Sequence, residues 1–523
     1  MNIIISIFCT LSALTCLFVK LRYELQMMQQ NSYRNSRYLN WLKKDLLSQR
    51  RIIEVAILLL LGFLADNIHI CVLASIVFII LIVKELRMKY KKKLVFTSRA
   101  IRLYFTAGLA AALVAFVVFE YSDENIGHVI QVVSLMTVLS FLVLIIANII
   151  NIPVEKMISR WFYNDAKKIL EKNPNLTVIG ITGSYGKTST KHFLYRMLSE
   201  DSSVLMTPGS YNTLLGVVRT IRENMKPYHD FFIVEMGAKQ AGDIKEICDL
   251  VHPTVGILTS VGEQHLESFK AIENVQKTKF ELIDALPLEG IAILNDDYEY
   301  IKNRPVYNVQ NVIRYSFANQ KADYYLDDIH YTKEKTNFTV KGKKEAANTF
   351  NTKIVGSHNL SNILASYIAS KYLRIKKTSI EYAISQLEQV EHRLSISRTP
   401  QGITIIDDAF NSNPMGASMA LDVIKEFRTG KRIVVTPGMI ELGAKQYDLN
   451  FGFGKKMAVS CDYTIVVGSY NRDSIINGLH SNDFDKNNIF PAATFKDAVI
   501  HLNSILKSGD VVLYENDLPD TFK

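Results

Sequence analysis

The sequence of 523 residues contains only five cysteines, and none of them forms a C-x-x-C pair. Zinc ribbons and disulfide scaffolds need closely spaced or abundant cysteines, so neither is expected. Charge is also sparse, because 21% of the residues are charged and 48% are hydrophobic. That balance excludes a disordered or collagen-like chain. At ~100–200 residues per domain, the length predicts three or four units.

The positive charge is concentrated in one part of the chain. The formal net charge is +9, of which residues 1–150 carry all but one unit. The basic residues cluster in segments 20–51 and 84–102, beside long apolar runs. Cytoplasmic loops of membrane proteins are rich in Lys and Arg, and anionic head groups attract them. The predicted partner of these segments is therefore membrane lipid, and nucleic acid is not expected.

Long apolar runs in residues 1–155 predict an α-helical membrane domain. Residues 3–19, 103–119 and 129–150 are each long enough to span the ~30 Å core of a bilayer. Residues 55–65 and 70–83 are separated by four residues. They form either a tight helical hairpin or a re-entrant pair, and both return the chain to its starting side. About five crossings are therefore expected.

The distribution of charge in the loops predicts the orientation. Segments 20–51 and 84–102 are expected to be cytoplasmic loops, whereas residues 120–128 contain three acids and neither Lys nor Arg. The N-terminus is then outside and the chain after residue 150 is cytoplasmic. A cleaved signal peptide is disfavoured, because no basic segment precedes residues 3–19. Glu54 and Asp66 are interpreted as solvated residues at span ends, which argues against a transporter.

From residue 175 the pattern changes to strand, glycine-rich loop and helix. An apolar run at 176–181 precedes the sequence TGSYGKTST at 182–190, and a helix is predicted from His192 to Leu198. Glycines let backbone N–H groups approach phosphates, while Lys187 and the Thr188 hydroxyl suit phosphate oxygens and Mg²⁺. Ile181 departs from the common G-x-x-x-x-G-K-[ST] pattern. The alternative is an ordinary glycine turn before a helix.

Two further apolar strands end in residues that can bind a cation. Residues 231–234 lead to Glu235, and residues 256–260 lead to a loop that contains His265. Each residue alone is more often a solvated acid or a satisfied loop histidine. After a phosphate loop, at successive strand ends, they predict a Mg²⁺-nucleotide site.

These motifs together resemble the Mur ligase family, and most closely its D-alanyl-D-alanine-adding (MurF-like) type. The resemblance covers about residues 175–515. The matching segments, in chain order, are 182–189, 235–237, 262–269, 279–281, 295–297, 356–362, 392–394, 407–414 and 438–443.

The resemblance implies a P-loop-type central ATPase domain at 175–395, after a connecting helix at 156–174, and a Rossmann-like C-terminal domain at 396–523. Short apolar runs at 403–406, 432–436, 463–467 and 511–514 predict strands of that last domain. The fold class is thus an α-helical membrane domain followed by α/β domains. The implied enzyme is an ATP-dependent carboxylate–amine ligase that forms ADP, and the implied place is a bacterial inner membrane.

The resemblance also implies roles for individual residues. Lys187 stabilises the transferred phosphoryl group, Thr188 and Glu235 hold one Mg²⁺, and His265 binds a second. Lys279 corresponds to the lysine that carries a carbamate in this family, and Arg393 reaches the phosphates from the domain hinge. The remaining residues implied for the ATP site are Gly183, Ser184, Gly186, Ser189, Asn295, Asn359 and, at the ribose, Asp408.

The chain departs from the family pattern in ways that bear on the substrate. About 25 residues separate the last predicted span from the first ATPase strand, too few for the domain that binds a UDP-sugar in soluble relatives. Phe410 replaces a usual tyrosine, and Asn450 replaces a usual histidine. The C-terminal tail lacks the basic Lys-Gly-Ser stretch of that pattern.

The expected function is a membrane-anchored ligase that joins an amino acid or short peptide to a carboxylate on a cell-envelope glycan or lipid-linked precursor. A peptide-polymer synthase of the poly-γ-glutamate kind is one alternative. An ATP-binding scaffold that organises envelope-synthesis partners is another.

Overall fold

The structure is a computed structural model that describes residues 3–46, 49–63, 68–88, 90, 92–122, 126–331, 335–343, 345–391, 393–409 and 413–517. Contacts within the chain define two compact units, residues 1–160 and residues 161–518. The first unit is helical and the second is α/β.

The first unit consists of helices, and all of them except α2 are apolar. They are α1 (Ile3–Gln30), α2 (Asn35–Leu46), α3 (Gln49–Phe63), α4 (Ile68–Arg87), α5 (Ser98–Tyr121), α6 (Ile126–Val138) and α7 (Ser140–Glu171). Within the described residues, α1, α4, α5 and α7 are long and apolar enough to cross a membrane. Helix α6 has 13 residues, which reach only ~20 Å at 1.5 Å per residue. Large apolar side chains face outward, and Phe105 is 69% exposed.

Within the predicted last span at 129–150, the helix is interrupted at the single residue Leu139, between α6 and α7. The Leu139 N–H still donates to Leu135 O at 2.9 Å, so the span itself stays a prediction. Ser140, at the break, is fully buried, and its hydroxyl donates to the buried carboxylate of Glu24 at 3.3 Å. A run of apolar residues does not indicate this tertiary contact. The interruption at Leu139 could therefore not be predicted from the sequence.

Two expectations about the first unit are corrected. Segment 20–51 is not a loop, because α1 continues to Gln30 and α2 follows; Leu21 and Leu25 extend the apolar face of α1 and are fully buried. The expected connecting helix at 156–174 is not separate, since α7 runs unbroken from Ser140 to Glu171. The count of five crossings and the hairpin at 55–83 stay predictions, because residues 64–67 of its turn lie outside the described residues.

The interpretation of Glu54 as solvated is also wrong. Its side chain is 11% exposed and lies 2.9 Å from Lys84 Nζ and 3.4 Å from Lys20 Nζ. Packing of α1, α3 and α4 brings these three residues together, which spacing along the sequence does not reveal. Buried charges in a helical bundle persist when they are paired in this way. Asp66 lies outside the described residues.

A large sheet forms the centre of the second unit. Its strands are β1 (Thr177–Thr182), β2 (Val204–Met206), β3 (Phe231–Glu235), β4 (Val255–Leu258), β5 (Ile291–Asn295), β6 (Asn311–Ser316), β7 (Tyr324–Tyr331), β8 (Thr336–Gly342) and β9 (Glu345–Thr352). Their order among the described residues is β2-β3-β1-β4-β5-β6-β7-β8-β9. The first seven pair in parallel, and β7, β8 and β9 are antiparallel.

Helices cover both faces of this sheet. They are α8 (Lys187–Leu198), α9 (Leu214–Asn224), α10 (Asp243–Val251), α11 (Leu266–Phe269), α12 (Ile272–Asp284), α13 (Glu299–Lys302), α14 (Ser357–Tyr372) and α15 (Lys377–Ser385). Apolar strand residues point alternately to two cores; Ile179 packs with α8 and α14 on one side, and Val178 packs with α9 and α10 on the other. A strand covered on both faces reads as a continuous apolar run, as β1 does.

The register of the parallel strands fixes the site. Ile181 pairs with Glu235, Thr182 pairs with Leu258, and Leu258 pairs with Leu294. The carboxyl ends of β1, β3, β4 and β5 are therefore level, and the loops that follow them meet at one edge. Open α/β sheets bind ligands at that edge.

A second sheet lies in residues 395–515. Its strands are β10 (Ser395–Arg398), β11 (Thr404–Asp408), β12 (Arg432–Thr436), β13 (Tyr463–Val467), β14 (Ile489–Ala492) and β15 (Val511–Glu515), in the order β10-β11-β15-β12-β13-β14 over the described positions. Only the pairing of β10 with β11 is antiparallel within this described sheet. Its helices are α16 (Pro414–Lys425), α17 (Gln446–Ser460), α18 (Arg472–His480) and α19 (Phe495–Ile505), with short 3-10 helices at Gly443–Lys445 and Lys486–Asn488.

Candidate active site

The glycine-rich loop joins β1 to α8, as its sequence predicts. Gly186 precedes the first turn of α8 with a φ of 81°, a left-handed conformation that glycine adopts without strain. An added Cβ would lie 2.5 Å from Asn362 Oδ1. The Lys187 ammonium folds back on the loop and donates to the carbonyl oxygens of Gly183 at 2.7 Å and Ser184 at 3.2 Å. The backbone N–H groups that open α8 thus face a space where a phosphate can bind.

Residues after β4 hold the loop in shape. The Ser184 hydroxyl bonds both the carbonyl and the N–H of Gly262, at 3.1 and 3.0 Å. The Tyr185 N–H donates to Ser260 Oγ at 2.7 Å. Desolvation lowers the pKa of Lys187 to about 8, with Glu235 opposing and Arg393 adding to the shift. Because the charge of Lys187 is poorly solvated, an anion that binds beside it stabilises the charged form strongly.

Glu235 ends β3 and is 1% exposed. Asn212 Nδ2 donates to its Oε1 at 3.1 Å, and Lys191 Nζ lies 3.0 Å from its Oε2. Burial alone raises the pKa of Glu235, but Lys191, Lys187 and the Asn212 amide together lower it below its usual value. The carboxylate is therefore ionised and ready to bind a cation.

Lys191 is a site residue that the motif reading missed. It is fully buried one turn after Lys187 on α8, and its ammonium also donates to Gly209 O at 2.6 Å. The predicted helix begins only at His192, whereas α8 begins at Lys187, so the i+4 spacing of the two lysines on one helix face was not recognised. Lys191 thus links the carboxylate of Glu235 to the loop that follows β2.

His265 stands in the loop after β4 with a φ of 54°. Its Nδ1 contacts the carboxylate of Glu441, which comes from the loop after β12 in the C-terminal sheet. Burial lowers the pKa of the imidazole, although Glu441 partly opposes that shift. The contact with Glu441 was not foreseen, since nothing in the sequence relates two loops 176 residues apart.

Lys279 lies on α12 and is 2% exposed. Desolvation lowers its pKa well below the usual value, and the nearby charge of Lys187 adds to that shift. Two residues on, Glu281 accepts from the N–H groups of Gly242 at 2.7 Å and Lys245 at 3.0 Å. Glu281 therefore stabilises the N-terminus of α10, while Lys279 presents a buried amine.

A cleft of about 700 Å³, open to solvent, lies beside the loop, between the central and C-terminal sheets. Its lining includes five predicted residues, namely Gly186, Ser189, Asn295, Arg393 and Asp408. It also includes residues that the sequence reading did not single out: Tyr185, Tyr298, His358, Ser361 and Asn362.

Arg393 and Asp408 connect the two sheets at this cleft. Arg393 Nη2 donates to Thr188 Oγ1 at 3.4 Å, and the Leu394 N–H donates to Asp408 Oδ1 at 3.1 Å. Burial raises the pKa of Asp408 to about 6, with Arg393 opposing it. Residues of the C-terminal sheet thus lie against the start of α8.

Asn295 and Asn359 differ in their surroundings. Asn295 Nδ2 donates to Thr259 O at 2.9 Å and the residue lines the cleft. Asn359 is 6% exposed, does not line the cleft and donates to Val355 O at 3.1 Å, just before α14. The structure therefore places Asn295, but not Asn359, at the cleft.

Three positions of the family pattern need separate mention. His392 and Phe410 lie outside the described residues. Asn450 is fully buried, where its amide bonds both the N–H and the carbonyl of Met439, at 2.9 and 3.1 Å. Asn450 thus holds the loop that carries Glu441.

The donors at this edge fit Mg²⁺ bound to a nucleotide. Thr188 and Glu235 offer hard oxygen donors, and His265 offers a ring nitrogen nearby. No group of three or more His, Cys, Asp or Glu side chains suited to a metal occurs within the part of the chain that the structure describes. Magnesium at a nucleotide takes one or two protein ligands and completes its shell with phosphates and water, which suits this sparse set.

Comparisons with known proteins identify the two α/β regions. Residues 181–370 match the Mur ligase middle domain, and residues 392–514 match the Mur ligase glutamate ligase domain. Together these two matches cover more than half of the chain.

Curated relatives align over the same region. The UDP-N-acetylmuramoyl-tripeptide–D-alanyl-D-alanine ligase of Bacillus subtilis (strain 168) is 29% identical, over 65% of this chain and 72% of the relative. The enzyme of the same name from Escherichia coli (strain K12) is 29% identical, over 56% of this chain and 64% of the relative. A third or so of these relatives therefore has no counterpart here.

Solved structures agree with the fold. MurF ligase from Thermotoga maritima in complex with ADP is 26% identical with a TM-score of 0.61, over 69% of this chain and 80% of that one. MurF from Acinetobacter baumannii is 22% identical with a TM-score of 0.62, over 68% and 77%. The chain therefore belongs to the Mur ligase family, and the predicted enzyme class, an ATP-dependent carboxylate–amine ligase, is confirmed.

Proposed function

We propose that this chain is a membrane-anchored ligase that uses ATP to join an amino acid or short peptide to a carboxylate of a cell-envelope glycan or its lipid-linked precursor. The observation that carries the proposal is a combination: Mur ligase domains begin at residue 181, and the long apolar helices α1, α4, α5 and α7 precede them. A ligase built this way meets its substrate at a lipid surface.

The cleft beside α8 is the proposed ATP site. The loop at 183–187 acts as a P-loop-type phosphate cradle, and the C-terminal sheet acts as the Rossmann-like domain of the family. Lys187 neutralises the γ-phosphate, Arg393 reaches the phosphates, and Asp408 accepts from the ribose. The ADP bound in the Thermotoga maritima relative supports a nucleotide here.

The reaction needs an activated carboxylate, because an unmodified carboxylate has no good leaving group. A substrate carboxylate oxygen attacks the γ-phosphorus, the bond to the ADP oxygen breaks, and an acyl phosphate forms. The amine nitrogen then attacks the acyl carbon, inorganic phosphate leaves, and the amine loses a proton. Negative charges crowd at each step, so positioning and cationic groups such as Lys187 and Arg393 dominate catalysis.

Two Mg²⁺ ions are proposed for this site. Thr188 and Glu235 would hold the first, and His265 and a carbamate on Lys279 would hold the second. Bound Mg²⁺ offsets the repulsion between the carboxylate and the phosphates. Lys279 suits the carbamate because CO₂ reacts with an uncharged amine, and burial favours that form of Lys279. The product offers a cation an oxygen ligand where an ammonium would repel it.

The proposed acyl donor differs from that of the relatives, whose names specify a UDP-linked muramoyl tripeptide. The aligned region of this chain leaves out a third or so of those enzymes, and helices stand before it. A donor already attached to a lipid carrier needs no UDP-binding domain, since the bilayer keeps it near the enzyme.

The proposed location is the bacterial inner membrane, with the N-terminus outside and the ligase domains cytoplasmic. The basic segments 20–51 and 84–102 support this orientation. Membrane lipids are then direct partners of the outward apolar side chains, such as Phe105.

The test is a ligation assay on the detergent-solubilised protein. Purified chain is incubated with ATP, Mg²⁺, candidate amines and either lipid-linked glycans or soluble UDP-muramoyl peptides, and ADP release and product mass are measured. We expect multiple-turnover ADP release only when a lipid-linked carboxylate and an amine are both present, with one amine added per carboxylate.

Other outcomes decide between the alternatives. ADP release with soluble UDP-muramoyl peptides but not with lipid-linked glycans would contradict the proposed lipid-linked donor. A ladder of products would identify a peptide-polymer synthase. Nucleotide binding without turnover on any of these substrates would favour a scaffold.

A further inference from the structure

Three contacts join the loop after β4 to the loop after β12, and together they are called the seam. Glu441 contacts Nδ1 of His265 through its carboxylate, and its carbonyl accepts from the Glu267 N–H at 3.0 Å. Lys445 Nζ lies 2.5 Å from Glu263 Oε1. The first loop carries a proposed ligand of the second Mg²⁺, and the other belongs to the C-terminal sheet.

The loop that carries Glu441 is held in one shape by buried amides. Asn450 bonds the N–H and the carbonyl of Met439, and Asn471 Nδ2 donates to Pro437 O at 3.0 Å. Glu441 itself has a φ of 62°, a strained conformation for a non-glycine residue that persists only where the surroundings enforce it. The loop therefore directs Glu441 at His265 instead of letting it sample solvent.

The chemistry of this contact selects one tautomer of His265. An ionised carboxylate only accepts hydrogen bonds, so Nδ1 must carry the hydrogen and Nε2 keeps its lone pair. Histidines that bind metal ions usually donate their other N–H to a carboxylate or carbonyl, which fixes the ring and raises its basicity. Glu441 and His265 have the arrangement of such a pair.

We propose that Glu441 is a positioning residue for His265, which holds the ring with Nε2 available to a divalent cation and so completes the second cation site only when the C-terminal domain is docked. The inference rests on the proposed function, because it takes His265 to be a cation ligand. It explains why a residue of the C-terminal sheet contacts that ligand at all. Docking of the C-terminal domain brings Arg393 and Asp408 to the nucleotide. The same movement would complete the site for the second cation.

A purely structural role for Glu441 predicts something different. The seam also contains the pair Lys445–Glu263, which joins the same two loops without touching His265. Lys445→Ala is therefore the matched control. It weakens the seam while leaving His265 and Glu441 in place.

The experiment counts bound Mn²⁺ by electron paramagnetic resonance on the detergent-solubilised full chain with a non-hydrolysable ATP analogue. We expect two Mn²⁺ on the wild type. Glu441→Gln, which keeps size but loses charge, should leave the first Mn²⁺ unchanged and weaken the second about 10- to 100-fold. Lys445→Ala should bind both as the wild type does. His265→Ala should lose the second, and adding Glu441→Gln to it should change nothing more.

Wild-type affinity for both ions in Glu441→Gln would overturn the inference, as would an equal loss in Lys445→Ala. A wild type that binds the analogue with a single Mn²⁺ would overturn it too, while leaving the ATP-dependent ligase in place. Absence of any Mn²⁺-analogue binding would remove the proposed function as well, so the two failures are distinguishable.

Discussion

At the scale of single residues, the charges around Glu235 determine what the site can do. Lys187 and Lys191 lie on one face of α8, one turn apart, and both influence the same carboxylate. Their contacts differ. Lys187 bonds carbonyls of its own loop, whereas Lys191 is fully buried against Glu235. The first is free to turn to a phosphate, and the second neutralises a buried charge.

Lys191→Met should therefore destabilise the fold. Removing one partner of a buried ion pair leaves an uncompensated charge and costs about 3–5 kcal/mol. For a unit of this size that corresponds to a melting temperature lower by about 4–7 °C, measured by thermal unfolding in detergent.

The exposed pair Lys245–Asp249, whose side chains are 64% and 53% exposed, supplies the control. Lys245→Met should leave the melting temperature nearly unchanged, because exposed ion pairs contribute little to stability. The double variant Lys191→Met with Glu235→Gln should recover part of the lost stability. A Lys191→Met protein as stable as the wild type would contradict the assignment of this pair.

Lys279→Ala should abolish ligation, and added acetate or formate should restore part of it. A small carboxylate can occupy the space of the proposed carbamate and supply its oxygen ligands. Lys277→Ala, an exposed lysine two residues earlier on α12, should keep full activity. No rescue at any carboxylate concentration would argue against the carbamate.

At the scale of elements, the start of α8 shows how a turn creates a binding site. The chain must enter the helix through a left-handed residue, and Asn362 on α14 packs where a side chain would project. A residue other than glycine at position 186 would strain the backbone and would also displace Asn362.

Gly186→Ala should weaken ATP binding about 5- to 30-fold, since left-handed strain alone costs about 1–2 kcal/mol, as measured by nucleotide titration of the purified protein. Gly452→Ala is the control. Gly452 is exposed within α17, and nothing lies within 4 Å of an added Cβ. That change should leave ATP binding intact and stabilise the helix by about 0.5–1 kcal/mol. Equal ATP affinity in both variants would contradict the role of the turn.

The sequence predicted elements well where they are buried on both faces. The strands β12 and β13 coincide with the predicted runs 432–436 and 463–467, because continuous β-branched residues between glycines and polar turns have few other structures available. The strands β7 to β9 were missed, since their outer residues alternate with charged ones, such as Asp327 and Lys341. The break at Leu139 and the contact of Glu441 with His265 depend on residues far away in sequence, so no local pattern predicts them.

At the scale of the whole molecule, a helical unit with long apolar helices precedes the domains of a ligase family. The four long apolar helices among the described residues are the proposed membrane anchor, and the positive charge beside them supports the proposed orientation.

Cysteine labelling tests that orientation. Tyr121→Cys, at an 89% exposed position, should react with a membrane-impermeant maleimide in intact cells. Lys93→Cys should react only after the membrane is opened. The five native cysteines are all buried, so the background should be low. Labelling of Lys93→Cys in intact cells would reverse the proposed topology.

The central claim is that ATP chemistry at the sheet edge adds an amine to a membrane-bound envelope glycan. The most direct measurement compares the intact masses of envelope glycans from cells that make the wild-type chain and cells that make Lys187→Ala, at equal protein levels in the membrane. The account predicts glycans heavier by an amino acid or short peptide less one water, only with the wild type. Identical masses in both cells would contradict it.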